Sequence, residues 1–152
     1  MMSKTAKKNY IEEMKKNFSS NESVMIAQYQ GLNVNELDEL RKELREKGIL
    51  FKVTKNRITK IAIKETPVKD LEKYFTGPTA AAISSDPIST AKILTKFSKS
   101  HSKLKIVAGF MDGKVLDQNE VAIIATLPSL EEARAKIVGI LSSPAQKLVS
   151  IL

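Results

Sequence analysis

The stretch Val24-Met25-Ile26-Ala27-Gln28-Tyr29 is a short apolar run of strand length, closed by a turn at Gln30-Gly31. Upstream, Tyr10, Ile11, Met14 and Phe18 recur at helical spacing and predict a helix over about residues 5–18. Downstream, Asn33 or Asn35 can cap a helix that sets Leu37, Leu40 and Leu44 on one face and stops at Gly48. The pattern then repeats. Residues 49–53 read as a second strand, Thr54-Lys55-Asn56 as a turn, and Ile58, Ile61 and Ala62 open a helix that ends before Pro67. Beyond Gly77-Pro78, residues 79–84 form a small-residue strand, and Asp86-Pro87 starts a helix carrying Ala91, Leu94 and Phe97. Residues 104–110 make a fourth strand, which Asp112-Gly113 turns into residues 114–116. Strands alternating with helices predict an α/β sandwich built on a mixed sheet.

The end of the chain has a different pattern. Ser129 and Glu132 form a capping box, with the serine at the N-cap and the glutamate three residues on. A second box is expected at Ser143 and Gln146, with Pro144 at the first helical position, so that a new helix starts at a bend. Lys136-Ile137-Val138-Gly139-Ile140-Leu141 recurs eleven residues later as Lys147-Leu148-Val149-Ser150-Ile151-Leu152. Eleven residues are close to three helical turns, so the two apolar clusters face nearly the same way. The first cluster is expected to pack on the body. Few residues are left to cover the second, and an uncovered apolar helix face marks a partner site. The organisation expected is an α/β domain over residues 1–128 and a helical segment over residues 129–152.

Charge divides the chain in the same way. Residues 1–111 carry 21 Lys/Arg against 12 Asp/Glu, and residues 112–152 carry 4 against 5, within a net charge of +8. A basic body with a neutral, apolar tail suits a protein that grips a polyanion at one end and another protein at the other. With 42% hydrophobic and 28% charged residues the composition is globular. The chain has no Cys, which removes thiolate metal sites and Cys nucleophiles and suits a reducing compartment. No apolar run approaches the roughly 20 residues needed to span a bilayer, and the first residues lack the apolar core of a signal peptide. A cytoplasmic protein without a membrane partner is expected.

Two basic stretches stand out. Lys52, Lys55, Arg57, Lys60 and Lys64 fall between Phe51 and Lys64 with no acid among them. Arg57, Lys60 and Lys64 form a stripe at i, i+3 and i+7, with Ile58, Ile61 and Ala62 on the other face. At the start of that helix, backbone N–H groups, Asn56 and cations converge as a phosphate-binding arrangement. Lys92, Lys96, Lys99 and Lys103 make a second helical stripe that suits either a solvated face or contact with RNA. Lys7 and Lys8 in the first helix either extend the phosphate-binding surface or face solvent.

Five Phe and three Tyr, mostly at core-like positions, leave no platform on which single-stranded bases could stack. Recognition of folded RNA by shape and phosphate is the expectation. His101 is the one histidine, at a Lys-rich helix end, and no nucleotide-loop or metalloprotease motif occurs. The alternative is a nucleotide- or nucleic-acid-processing α/β enzyme using the turns at Gly77 or Gly109. It calls for a titratable cluster that the sequence does not supply. No cofactor, metal or small-molecule substrate is expected.

Residues 51–57 (Phe-Lys-Val-Thr-Lys-Asn-Arg), 75–79 (Phe-Thr-Gly-Pro-Thr), 127–133 (Leu-Pro-Ser-Leu-Glu-Glu-Ala) and 144–149 (Pro-Ala-Gln-Lys-Leu-Val) occur in the order seen in one family. The chain resembles bacterial large-subunit ribosomal protein ten, the stalk-base protein. The resemblance implies an α/β domain bound to the GTPase-associated region of large-subunit rRNA beside ribosomal protein eleven. It also implies a C-terminal helix on which dimers of stalk protein seven/twelve dock to recruit translational GTPases, and repression of its own translation through messenger RNA. On this resemblance Lys55, Asn56, Arg57 and the Gln30-Gly31 loop match RNA-facing positions, and residues 144–152 match one docking unit. Pro144, Leu148, Val149, Ile151 and Leu152 are the expected partner-binding residues. The family pattern carries more helix after this point, so the tail reads as shortened.

Overall fold

The computed structural model describes residues 3–152. Helix α1 (Lys4–Ser20) starts on Ser3, whose hydroxyl accepts from the Ala6 N–H at 3.2 Å. It leads into strand β1 (Ser23–Gln28), helix α2 (Val34–Glu46) and strand β2 (Leu50–Val53). Helix α3 (Asn56–Ile63) and a 3₁₀ helix (Lys69–Tyr74) precede strand β3 (Thr79–Ser84). Helix α4 (Pro87–Ser100), strands β4 (Lys105–Met111) and β5 (Lys114–Asp117), helix α5 (Gln118–Thr126) and helix α6 (Leu130–Ile151) complete the fold. Asn33 is the residue that caps α2, in a capping box closed by Glu36.

The α/β class agrees with the sequence, but the sheet is antiparallel throughout and not mixed. Its order is β2-β3-β1-β4-β5, and each neighbouring pair runs antiparallel. The helical crossovers β1-α2-β2 and β3-α4-β4 do link strands that point the same way. Each crossover spans an inserted strand, β3 in the first and β1 in the second, so no parallel pair ever meets.

Helices cover both faces. Val24 and Ile26 of β1 point into a core with Met14 and Phe18 of α1, Ala62 and Ile63 of α3, and Leu71. Met25 and Ala27, one residue out of phase, point into a second core with Leu40 and Leu44 of α2, Leu94 of α4 and Val121 of α5. The run 24–27 is continuously apolar because both of its faces are buried. Helix α5 and the 3₁₀ helix were not anticipated. The first starts on a capping box, Asp117 with Glu120, three residues after β5 begins, and that signal was legible.

The tail departs most from expectation. Residues 130–151 form one helix with Pro144 inside it, where two helices meeting at a bend were expected. The Ser129–Glu132 box forms, with Glu132 N–H donating to the serine hydroxyl at 3.3 Å and Ser129 N–H to the glutamate at 3.0 Å. Ser143 stays helical. A proline removes one intrahelical N–H, and an exposed helix lets water take the freed carbonyl at position 140. Helix α6 has no buried residue, so the first apolar cluster, Ile137 to Leu141, does not pack on the body either.

Candidate nucleic-acid interface

The strand register brings several loops to one end of the sheet. Gln28, at the end of β1, stands opposite Thr79, the start of β3, and Lys105, the start of β4, while Val53 at the end of β2 pairs with Ala80. The Gln30-Gly31 turn, the Thr54–Asn56 turn, the Gly77-Pro78 turn and the approach to β4 therefore form one rim.

Asn56 organises its centre. Its Nδ2 donates to the Gly77 carbonyl at 2.7 Å, and its Oδ1 accepts from the Thr79 hydroxyl at 2.7 Å. Thr54 ties the same loop from the other side, its N–H and hydroxyl donating to the Thr79 carbonyl at 3.1 and 3.0 Å. Gln28 Nε2 donates to the Thr76 carbonyl at 3.0 Å. Gly77 holds φ at +74°, a conformation that side chains resist and that lets its carbonyl face Asn56. The amide of Asn56 thus positions the turn, and Lys55 and Arg57 flank it exposed.

An open hollow of about 590 Å³ lies over this turn, lined by Lys7 from α1 together with Lys55, Asn56 and Arg57. Ile58, Ile61, Thr54 and Gly77 complete its lining, and no acid is among them. The N-cap residue Lys55 makes no side-chain cap hydrogen bond to the first turn of α3, which opens here. Cations from two separate helices, a helix start and a rigid turn are the elements of a phosphate site.

Other residues expected at this site are spread out. Lys8 is exposed on α1 and does not line the hollow. Lys60 borders a different depression with Lys69, Asp70, Glu72 and Lys73, where signs are mixed, and Lys64 is exposed at the end of α3. The Arg57–Lys60–Lys64 stripe is therefore divided. The expected apolar face of α3 is also corrected. Thr59, Ala62, Ile63 and Thr66 are buried at i, i+3, i+4 and i+7, while Ile58 is half-buried and Ile61 is 55% exposed. Taking Thr59 and Thr66 as possible inward residues would have set the phase correctly.

Gln30 and Gly31 are exposed on the neighbouring part of the rim, with Gly31 at φ +91° beside the stem of Lys103. Lys103 belongs to this turn and not to a helical stripe, because α4 ends at Ser100. Here an acid intervenes. His101 stacks on Phe97 at 4.3 Å and lies 3.4 Å from Glu36. The Asn33 N–H, donating at 2.8 Å, holds the Glu36 carboxyl below the ordinary glutamate value, with Lys103 and His101 acting in the same direction. In the other stripe, Lys92 pairs with Glu132 and fastens the start of α6 to α4.

The ribosomal protein L10 family profile matches residues 2–99, a span that contains every cation of the hollow. The chain belongs to the ribosomal protein L10 family. Its members are structural constituents of the ribosome and not enzymes. The chain is similar to large ribosomal subunit protein uL10 of Pelagibacter ubique, 56% identical over 151 residues, which cover 99% of this chain and 91% of that protein. It is also similar to large ribosomal subunit protein uL10 of Rhodospirillum rubrum, 41% identical over 150 residues, or 99% of this chain and 87% of that protein. The same protein of Rickettsia bellii is 40% identical over 144 residues, 95% of this chain and 85% of its own length.

Membership in this family sets aside the enzymatic alternative, and the two turns it needed serve the fold. Gly77 holds Asn56, and Gly109 lies within β4 against Val121. The family similarity extends along α6, where Leu148, Val149 and Ile151 are 64, 73 and 81% exposed and Leu152 is fully so. Pro144 borders a shallow groove with Gly139, Ile140 and Lys147. Among the described residues no helix is long and apolar enough to cross a membrane.

Proposed function

We propose that this chain is an rRNA-binding scaffold of the ribosomal stalk base in the cytoplasm. Lys7, Lys55 and Arg57 hold phosphates in the GTPase-associated region of large-subunit rRNA, beside ribosomal protein eleven, and Asn56 fixes the turn that presents them. Lys8, Lys60, Lys64 and the Gln30-Gly31 loop extend the contact outward. Helix α6 anchors dimers of stalk protein seven/twelve, which recruit translational GTPases. Residues 144–152 start the docking helix, and Leu148, Val149, Ile151 and Leu152 bury against a partner helix. The same cationic surface, turned on messenger RNA, represses the protein's own translation.

The observation that carries this reading is α6 itself. It has 22 residues, none of them buried, and it presents large apolar side chains along its length. A helix with so much apolar surface is stable in water only marginally and is completed by a partner. The test is co-purification with stalk protein and rRNA. Deleting residues 144–152 is expected to abolish stalk-protein association and to spare rRNA binding. Undiminished stalk protein on the shortened chain would refute the docking assignment.

A further inference from the structure

The hollow beside Asn56 has an apolar patch that phosphates do not need. Ile58 and Ile61 stand one helical turn apart on the same side of α3, and the inward face of that helix is already complete without them. Single exposed apolar residues are ordinary. Here two line one concavity together with Lys7, Lys55 and Arg57, and no acid is among its lining. Its volume of about 590 Å³ falls in the range of sites that take small organic groups.

We infer that this patch takes one unstacked nucleoside of the bound RNA, its base and ribose packed on Ile58 and Ile61 while the flanking phosphates meet Lys7, Lys55 and Arg57. The inference rests on the proposed RNA-binding function and adds the chemistry of one subsite to it. Charge complementarity selects the occupant, because an apolar patch that shares its hollow with cations matches a base or ribose between two phosphates. No aromatic side chain lines the hollow, so the contact is apolar packing and discriminates little among bases. The rim is held in advance by the hydrogen bonds of Asn56 and Thr54 to the 77–79 loop, which limits the ordering needed on binding.

The test measures affinity for a transcript of the GTPase-associated region across a KCl series, with the full chain. Ile61→Ser is expected to weaken binding about tenfold at every salt concentration while leaving the slope of log affinity against log salt unchanged. Ile61→Thr, which keeps the β-branch, is expected to act in the same direction, and Ile61→Val to restore most of the affinity. Thermal melting checks that each variant folds. Lys55→Gln with Arg57→Gln is expected to reduce the slope by about 1.5. If the charge variant loses affinity and both polar Ile61 variants bind as the parent does, the nucleoside subsite is refuted and RNA binding at this face stands. A protein occupant of the patch would produce that same result. If neither set changes affinity, the RNA-binding assignment of this face falls with it.

Discussion

Asn56 Nδ2 lies 2.7 Å from the Gly77 carbonyl oxygen, so the first residue of α3 is fastened to a turn 21 positions away in sequence. Through Thr79, which donates to Asn56 Oδ1, the same side chain reaches the first residue of β3. The cationic turn is thus held by a side chain whose polar atoms serve the fold.

Asn56→Ala is expected to lower stability by about 1–2 kcal/mol, because it leaves the Thr79 hydroxyl and the Gly77 carbonyl without this partner. It is also expected to weaken rRNA binding, although no charge is lost, through displacement of Lys55 and Arg57. Urea denaturation and filter binding on one preparation measure both. Parent-like affinity with reduced stability would mean that the turn need not be held for RNA to bind.

Lys55→Glu with Arg57→Glu is expected to weaken rRNA binding and flatten its salt dependence, whereas Lys60→Glu has a much smaller effect. The contrast follows from position. Lys60 stands among Asp70, Glu72 and two lysines, outside the acid-free hollow. Equal losses from the two variants would restore the undivided helical stripe as the binding surface.

How much of this was legible depended on whether a signal was local. The strands at residues 23–28 and 79–84 and the caps at Asp86 and Ser129 were readable to within a residue, and the cap of α2 was narrowed to Asn33 or Asn35, because run length and capping chemistry are properties of neighbouring residues. The insertion of β3 between β1 and β2 was not. Pairing is fixed by tertiary contacts such as Met25 opposite Ala82, and a helical crossover in the sequence looks the same with or without an inserted strand. The site was legible as charge but not as phase. Arg57 and Lys60 sit three apart on a helix, yet they border different hollows, because α3 buries Thr59, Ala62 and Ile63 and leaves Ile61 outward.

Gly109→Ala is expected to cost about 1–2 kcal/mol, since its Cβ would stand 3.1 Å from Val121 Cγ2 where α5 crosses β4. Glycine is not required here by backbone conformation, so relief of that one contact removes the penalty. In a Val121→Ala background the same change is expected to be neutral or slightly stabilising. Additive losses in the double variant would move the strain elsewhere.

The Glu132 carboxyl is held below the ordinary glutamate value, chiefly by the hydrogen bond from Lys92 and then by the Ser129 N–H. A depressed carboxylate contributes stability above its unfolded pKa and loses it as pH falls through the folded value. Capping of α6 is therefore expected to persist down to the ordinary glutamate range and to fade below it. Helicity by circular dichroism, compared between the parent and Glu132→Gln, follows this. A difference between the two that stays constant through acid would exclude ionisation as the cause. Ser129→Ala is expected to cost the helix start about 1 kcal/mol at neutral pH.

Pro144 breaks the hydrogen-bond ladder of α6 where its missing N–H would have met the carbonyl of residue 140. In a helix interior this substitution is worth about 3 kcal/mol relative to alanine. Pro144→Ala should therefore raise helicity at 222 nm. Because α6 has no buried residue and is fastened to α4 through Lys92 and Glu132 at its start, the gain is expected to stay in the helix. The melting midpoint of the sheet domain, followed by near-ultraviolet signal from its tyrosines, should not move. A parallel rise in that midpoint would show that α6 folds as one unit with the body, and the independence of the two ends would then fail.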